Sequence, residues 1–337
     1  MMEIASTGMV TAVGNDAQSS CTAIRAGITG FREIPFQFGG LPVIGALARN
    51  ATGAKAGIHL LGQLAHMAIA ECAAGLEMAK VPLLLAIAQP ESPGTPRTLG
   101  ERLLRGLTRL LNTPLHSDSA VFAQGTVSGI SALARARELL ASGRVDSCLV
   151  CGVDSLINAP MLDTLFRHQR IKHDANPDGL IPGEAAACVL VTRPGRVSSQ
   201  RGTVIRGLGF GRETAHVTSS EPVLGVGLSA AIKEALDDAS MTMNDIDFRI
   251  SSITGERYGF IEANYALARV LRTTKGTFEF LHLMDTIGVV GAAAAPCQLA
   301  YLKFMYERGC VPATGALCET SSDDGRRAVA IVAPVNS

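Results

Sequence analysis

The run Asp178-Gly179-Leu180-Ile181-Pro182-Gly183-Glu184-Ala185-Ala186 is the most informative stretch of this chain. Its glycines give the backbone the freedom that a tight turn needs. From Ala185 to Thr192 the residues are apolar almost without break, the pattern of a strand buried on both faces. Just upstream, Val121 to Gln124 reads as a short strand, Val127 to Ser142 as a helix and Val145 to Val153 as another apolar strand. Strand, helix and strand in that order predict parallel strands in a sheet covered on both sides.

The alternation extends in both directions. Ile4 to Val13 is a strand-like stretch closed by Gly14-Asn15-Asp16, and a helix follows from Ala17 to Ala26, ended by Gly27. Residues 58 to 80 carry helical spacing, and Val81 to Ala88 is a buried strand stopped at Gln89-Pro90. Between Arg193 and Gly202 the chain turns polar, and then the pattern restarts. Strand Thr203 to Leu208, helix Gly225 to Ala239, strand Phe248 to Ser252 and helix Ile261 to Arg272 complete it. Two α/β units, 1–195 and 196–337, are expected.

Composition narrows the function classes. With 47% hydrophobic residues in 337, the chain fills a large core and is neither disordered nor fibrous. Lys plus Arg equals Asp plus Glu at 30 each, without like-charge runs, so neither nucleic acid nor a membrane is expected as a partner. The opening Met1 to Ser6 lacks a basic, apolar leader and no apolar run approaches about 20 residues, so a cytoplasmic location is expected. Eight cysteines sit mostly in apolar surroundings. Cys148 and Cys151 form a C-x-x-C pair, but an offset of three along a strand turns them to opposite faces. No metal and no cofactor is expected.

Four segments in order resemble the β-ketoacyl synthases, the condensing enzymes of fatty-acid and polyketide assembly. Gly8 to Asn15 with Ala23 to Gly30 looks like the family's opening strand and helix end, and Gly143 to Asp146 with Cys151 to Asp154 looks like its G-x-x-D and A-G-G-x-E. Asp178 to Ala186 is close to D-G-F-V-x-G-E-G-A, in which the Glu is an internal anchor. Ala215-His216-Val217-Thr218 with Pro222, then Asp245-Ile246-Asp247, resembles a fourth stretch. The resemblance implies a duplicated thiolase fold, five layers ordered α-β-α-β-α, and a dimer formed through the first half.

Condensation needs a Cys at a helix N-terminus, where the helix dipole favours a thiolate, and two His that stabilise the enolate and oxyanion. By resemblance the nucleophile's place falls on Thr126, the first His on Ile253 and the second on Asp285. None supplies that chemistry: a threonine hydroxyl stays protonated at neutral pH, isoleucine is inert, and a carboxylate cannot stabilise an oxyanion. Ser128 reads as a helix cap or a substitute nucleophile, and His282 as a structural residue or a displaced catalytic one. The family's closing G-F-G-G-T-N loop has no counterpart before Ala328 to Val335. Arg167 to His173 is a basic cluster, read as a solvated face or a docking site.

The function expected is therefore a non-catalytic binding subunit or adaptor. It is either the companion of an active synthase or part of a larger bacterial assembly such as a secretion system. It would form a homodimer or a heterodimer with a synthase-like partner, with an acyl carrier protein as a further partner. The alternative is an altered acyl-transfer or hydrolytic enzyme using Thr126 or Ser128, with Asp285 as base.

Overall fold

The computed structural model describes residues 1–48, 56–195, 202–276, 278–311 and 314–335. Up to residue 195 the order is β1 (Met2–Val10), α1 (Ala17–Arg25), β2 (Phe31–Phe38), β3 (Leu41–Ala46), α2 (Gly57–Cys72), β4 (Leu83–Ile87), α3 (Leu99–Leu110), β5 (Ala120–Ala123), α4 (Ser128–Ala141), β6 (Ser147–Ser155), α5 (Ala159–Arg167) and β7 (Glu184–Thr192). Beyond it come β8 (Thr203–Arg212), α6 (Val226–Ala239), β9 (Ile246–Ser251), α7 (Arg257–Val270), β10 (Glu279–His282), α8 (Met284–Ile287), α9 (Ala294–Glu307), β11 (Gly315–Ser321) and β12 (Arg326–Pro334). The first helix starts as the sequence predicts: the Asp16 side chain accepts from the Ser19 amide, and Ser19 in turn accepts from the Asp16 amide.

Apart from the β2–β3 hairpin, the strands form one sheet in the order β10-β9-β11-β12-β8-β1-β7-β6-β4-β5. Read outward from its centre, this is one arrangement used twice. Each half places its first strand innermost, then its fifth, fourth, second and third. The pairing directions also repeat, antiparallel at β1–β7–β6 and β8–β12–β11, parallel at β6–β4–β5 and β11–β9–β10. The halves meet where Met2, Glu3 and Ile4 pair with Ile205, Val204 and Thr203.

One expectation is corrected here. The run from Ala185 to Thr192 is buried throughout, but β7 lies antiparallel to both neighbours. An unbroken apolar pattern reports burial on two faces and carries no information about direction.

Helices α4 and α9 lie between the two half-sheets in a common core that includes Val189 and Ala330. On one outer side, α2 and α3 cover the opposite face of the first half through Leu64, Leu103 and Cys151. On the other, α6 and α7 cover the second half through Ile232, Ala266 and Ile331. The result is five alternating layers. Cys148 faces the central core and Cys151 the outer one, as a strand offset of three requires. The half-buried β5 ends the sheet on one side with no strand beyond it among the described residues. No helix among the described residues is long and apolar enough to cross a membrane.

Candidate functional site

The Asp178–Glu184 turn locks the two halves together beside the site. The Gly183 amide donates to the Val289 carbonyl at 2.9 Å, and the Val289 amide donates to Ile181 at 2.8 Å. Asp178 accepts from the first amide of α7, Arg257, at 2.6 Å. Glu184, fully buried at the start of β7, accepts from the Ala48 amide at 3.2 Å and from the Ser155 hydroxyl at 3.0 Å.

Next to this clasp lies a cavity of about 90 Å³ with Thr126, Gln89, Ser252, Thr254, Met284 and Ser322 among its walls. Thr126 reaches it through a tight turn before α4 in which Gly125 has φ +65°; a Cβ there would stand 2.4 Å from the Gln89 side-chain oxygen. That crowding and the positive φ together require glycine. The Thr126 hydroxyl donates to no described residue.

Ser128 is fully buried, where its hydroxyl accepts from the Gln124 amide at 2.8 Å and donates to the Ile87 carbonyl at 3.1 Å. It ties the turn to the end of β4 and is not on the cavity wall. The Gln124 side chain is engaged by Ser131 at 2.7 Å, so the glutamine that faces the cavity is Gln89.

The other two positions expected from the resemblance, Ile253 and Asp285, lie apart. Ile253 lines an adjoining cavity of about 40 Å³ under α7, while its neighbours Ser252 and Thr254 line both. Asp285 is 56% exposed and pairs with His282 at 2.6 Å. Met284 holds the cavity wall in its place. The Asp285 hydrogen bond holds the His282 imidazole above its ordinary range against the opposing effect of burial, and the ring packs edge-on against Phe260 and Phe280. Asp285 is thus engaged with His282 and stands off the wall that carries the Thr126 hydroxyl.

Two acids reach the site unforeseen. Asp154 lines the cavity and accepts from the Ala292 amide at 2.9 Å and the Ser155 amide at 2.8 Å. Burial pushes its carboxyl up to about 6, against the pull of those two amides. Asp323 comes from the turn between β11 and β12. It pairs with Arg170, which leaves the basic cluster and turns inward, 12% exposed, while Arg167 stays outside with Asp163.

Behind the wall, Arg249 is bound by Glu319 at 2.7 and 2.9 Å, and Arg327 by Glu262 at 2.7 Å, all four buried. Among the described residues no cluster of His, Cys, Asp or Glu is arranged to hold a metal. The cavity presents hydroxyls, amides and ion-paired groups, a set suited to hydrogen bonding and lacking a thiolate.

The comparisons agree with this architecture. No family model matches the chain. It is 23% identical over 206 residues to a putative mitochondrial 3-oxoacyl-[acyl-carrier-protein] synthase of Schizosaccharomyces pombe, covering 56% of this chain and 48% of that protein. It is 26% identical over 211 residues to the ketoacyl synthase alpha subunit of the tetracenomycin polyketide synthase of Streptomyces glaucescens, covering 58% and 49%. Each match therefore spans about half the relative's length. The ishigamide ketosynthase/chain length factor superposes with a TM-score of 0.79 at 17% identity, covering 98% of both chains. A ketosynthase in complex with its chain length factor from Xenorhabdus doucetiae does so at 0.75 and 14%, covering 99% and 98%. The chain has the thiolase fold. It resembles the β-ketoacyl synthases, and its relatives and structural neighbours are ketosynthases and chain length factors.

Proposed function

We propose that this chain is a non-catalytic ketosynthase-like subunit that acts by pairing with a synthase-like partner, as a chain length factor pairs with its ketosynthase. The observation that carries the reading is the wall of the Thr126 cavity, which among the described residues has no thiol and no imidazole. Without them there is neither a nucleophile ionised at neutral pH nor an imidazole to stabilise the enolate and oxyanion. The β5 edge supports pairing, because a half-buried, wholly apolar strand with open backbone groups is an aggregation hazard unless it is covered. The partner is a ketosynthase or a second copy, and an acyl carrier protein is served by the pair. The units 1–195 and 196–337 are the two copies of the duplication, and the cytoplasm is the compartment, where the eight cysteines remain free thiols.

The test is to express the chain alone and with the ketosynthase encoded nearest to it, weigh the complexes by light scattering, and record intact masses after exposure to acyl carrier protein thioesters. A dimer without a covalent adduct is expected. An adduct that depends on Thr126, or a chain that stays monomeric in both preparations, overturns the reading.

A further inference from the structure

Three cavities meet at one ion pair. The Thr126 cavity of about 90 Å³, the one of about 40 Å³ under α7 and one of about 170 Å³ beside α5 all have Arg170 and Asp323 in their walls. That pair is a partition. Without it the three spaces together reach the lower end of small-molecule sites, roughly 300 Å³.

Arg170 holds its two carboxylates in unlike ways. Glu256 meets the guanidinium at Nε and Nη2, 2.7 and 2.8 Å, is 9% exposed and accepts a further bond from the Thr254 hydroxyl at 2.7 Å. Asp323 receives Nη1 at 2.7 Å and Nη2 at 3.2 Å, yet it is 58% exposed, sits on a turn and has no other side-chain partner among the described residues. Glu256 is fixed and Asp323 is replaceable.

Charge decides what can replace it. One guanidinium between two carboxylates leaves an excess negative charge, so a further anion enters only by taking the place of one already there. Exchange with Asp323 conserves the local charge, and the displaced carboxylate swings into water, where an exposed ion pair loses little. A planar carboxylate also matches the two guanidinium nitrogens that Asp323 vacates. The Ser252 hydroxyl accepts from the Ser321 amide but, like Thr126, donates to no described residue, so two uncommitted donors line the same space.

We propose that Arg170 anchors a binding site for a small organic carboxylate, which displaces Asp323 and joins the three cavities, with Thr126 and Ser252 facing the ligand's body. This deepens the non-catalytic reading of the same cavity, but the two fail separately: dimer mass and acyl adducts decide that reading, and reversible anion binding decides this one.

The experiment titrates the full chain with butyrate, and with butyramide as the neutral isostere, by calorimetry and by the arginine Nε–H signals in NMR. Saturable butyrate binding that shifts one arginine signal is expected, with none for butyramide. Asp323→Ala removes the competing carboxylate from an exposed turn and should tighten butyrate binding by about threefold to fivefold. Arg170→Gln combined with Glu256→Gln neutralises the buried pair without stranding a charge and should abolish binding. Equal binding of both probes, no tightening in Asp323→Ala, or undiminished binding in the double variant overturns the proposal.

Discussion

Replacing Thr126 by cysteine and Asp285 by histidine supplies two of the three residues a condensing enzyme uses, and the structure gives reasons why this is insufficient. The introduced thiol would stand in the turn leading into α4, where the N-terminal amides favour a thiolate. Its alkylation by iodoacetamide should titrate below the ordinary thiol value of about 8.5. The introduced imidazole would occupy an exposed position beside His282, with Met284 between it and the cavity. Both imidazole donors therefore remain absent from the cavity. Each is worth about 10²–10³ in rate, so the double variant should run roughly 10⁴–10⁶ below a complete site. Space opposes it as well: the cavity of about 90 Å³ lies below the roughly 300 Å³ at which small-molecule sites begin. The assay follows acyl transfer from acyl carrier protein thioesters by intact mass and elongation of malonyl thioesters by chromatography. Modification of the thiol without elongation is expected; an elongated product from the double variant would refute the reasoning and mark a recently silenced enzyme.

Glu184→Ala leaves the Ala48 amide and the Ser155 hydroxyl without their acceptor in a buried site, and should cost about 2–4 kcal/mol, read as a fall in Tm of roughly 3–6 °C. Asp154→Asn tests a pH dependence. Because the folded carboxyl is raised to about 6 from 3.8, its stabilising contribution is complete below about pH 4 and is lost as the pH rises to about 6. The variant, neutral throughout, should gain up to about 3 kcal/mol relative to the parent between pH 4 and 7; a flat difference in urea unfolding counts against the assignment. Arg249→Met strands the Glu319 carboxylate and should cost about 3–5 kcal/mol in the same measurement, whereas adding Glu319→Leu should restore most of it.

What could be read from the sequence was whatever one residue type decides locally. Gly179 and Gly183 announce a turn because no other residue tolerates backbone approaching so closely; a Cβ on Gly183 would lie 2.5 Å from the Ile287 carbonyl oxygen. Thr126 could be matched to the family's nucleophile position by resemblance, counting back along the helix from Gly143, but only the fold puts it on a cavity wall. The direction of β7 and the β2–β3 hairpin were not legible: burial leaves direction open, and Arg32 and Glu33 interrupt the apolar pattern of β2. Arg170 was hidden for another reason. In sequence it is one basic residue among several, and only the fold brings Glu256 and Asp323, 86 and 153 residues away, to its guanidinium. Met284 and Asp285 illustrate the same limit, since the helical turn of α8 decides which of two adjacent side chains meets the cavity.

The way this site departs from a condensing centre bears on why it is built as it is. If stability alone governed a cavity without catalytic duty, apolar side chains would fill it, since replacing a buried ion pair by hydrophobic residues of similar volume is often neutral or stabilising by 1–4 kcal/mol. The region instead has Arg170 between two acids at its rim and the Arg249–Glu319 and Arg327–Glu262 pairs behind it, with the hydroxyls of Thr126 and Ser252, which donate to no described residue, in front. Such pairs fix geometry where apolar packing would leave latitude, and geometry matters when a surface or a ligand must be met in one orientation. The two inner pairs brace β9, α7, β11 and β12 against one another and set the turn that carries Asp323. Bracing the scaffold while leaving one exposed carboxylate exchangeable is an arrangement for recognition: the rigid part selects, and the weakly held part yields.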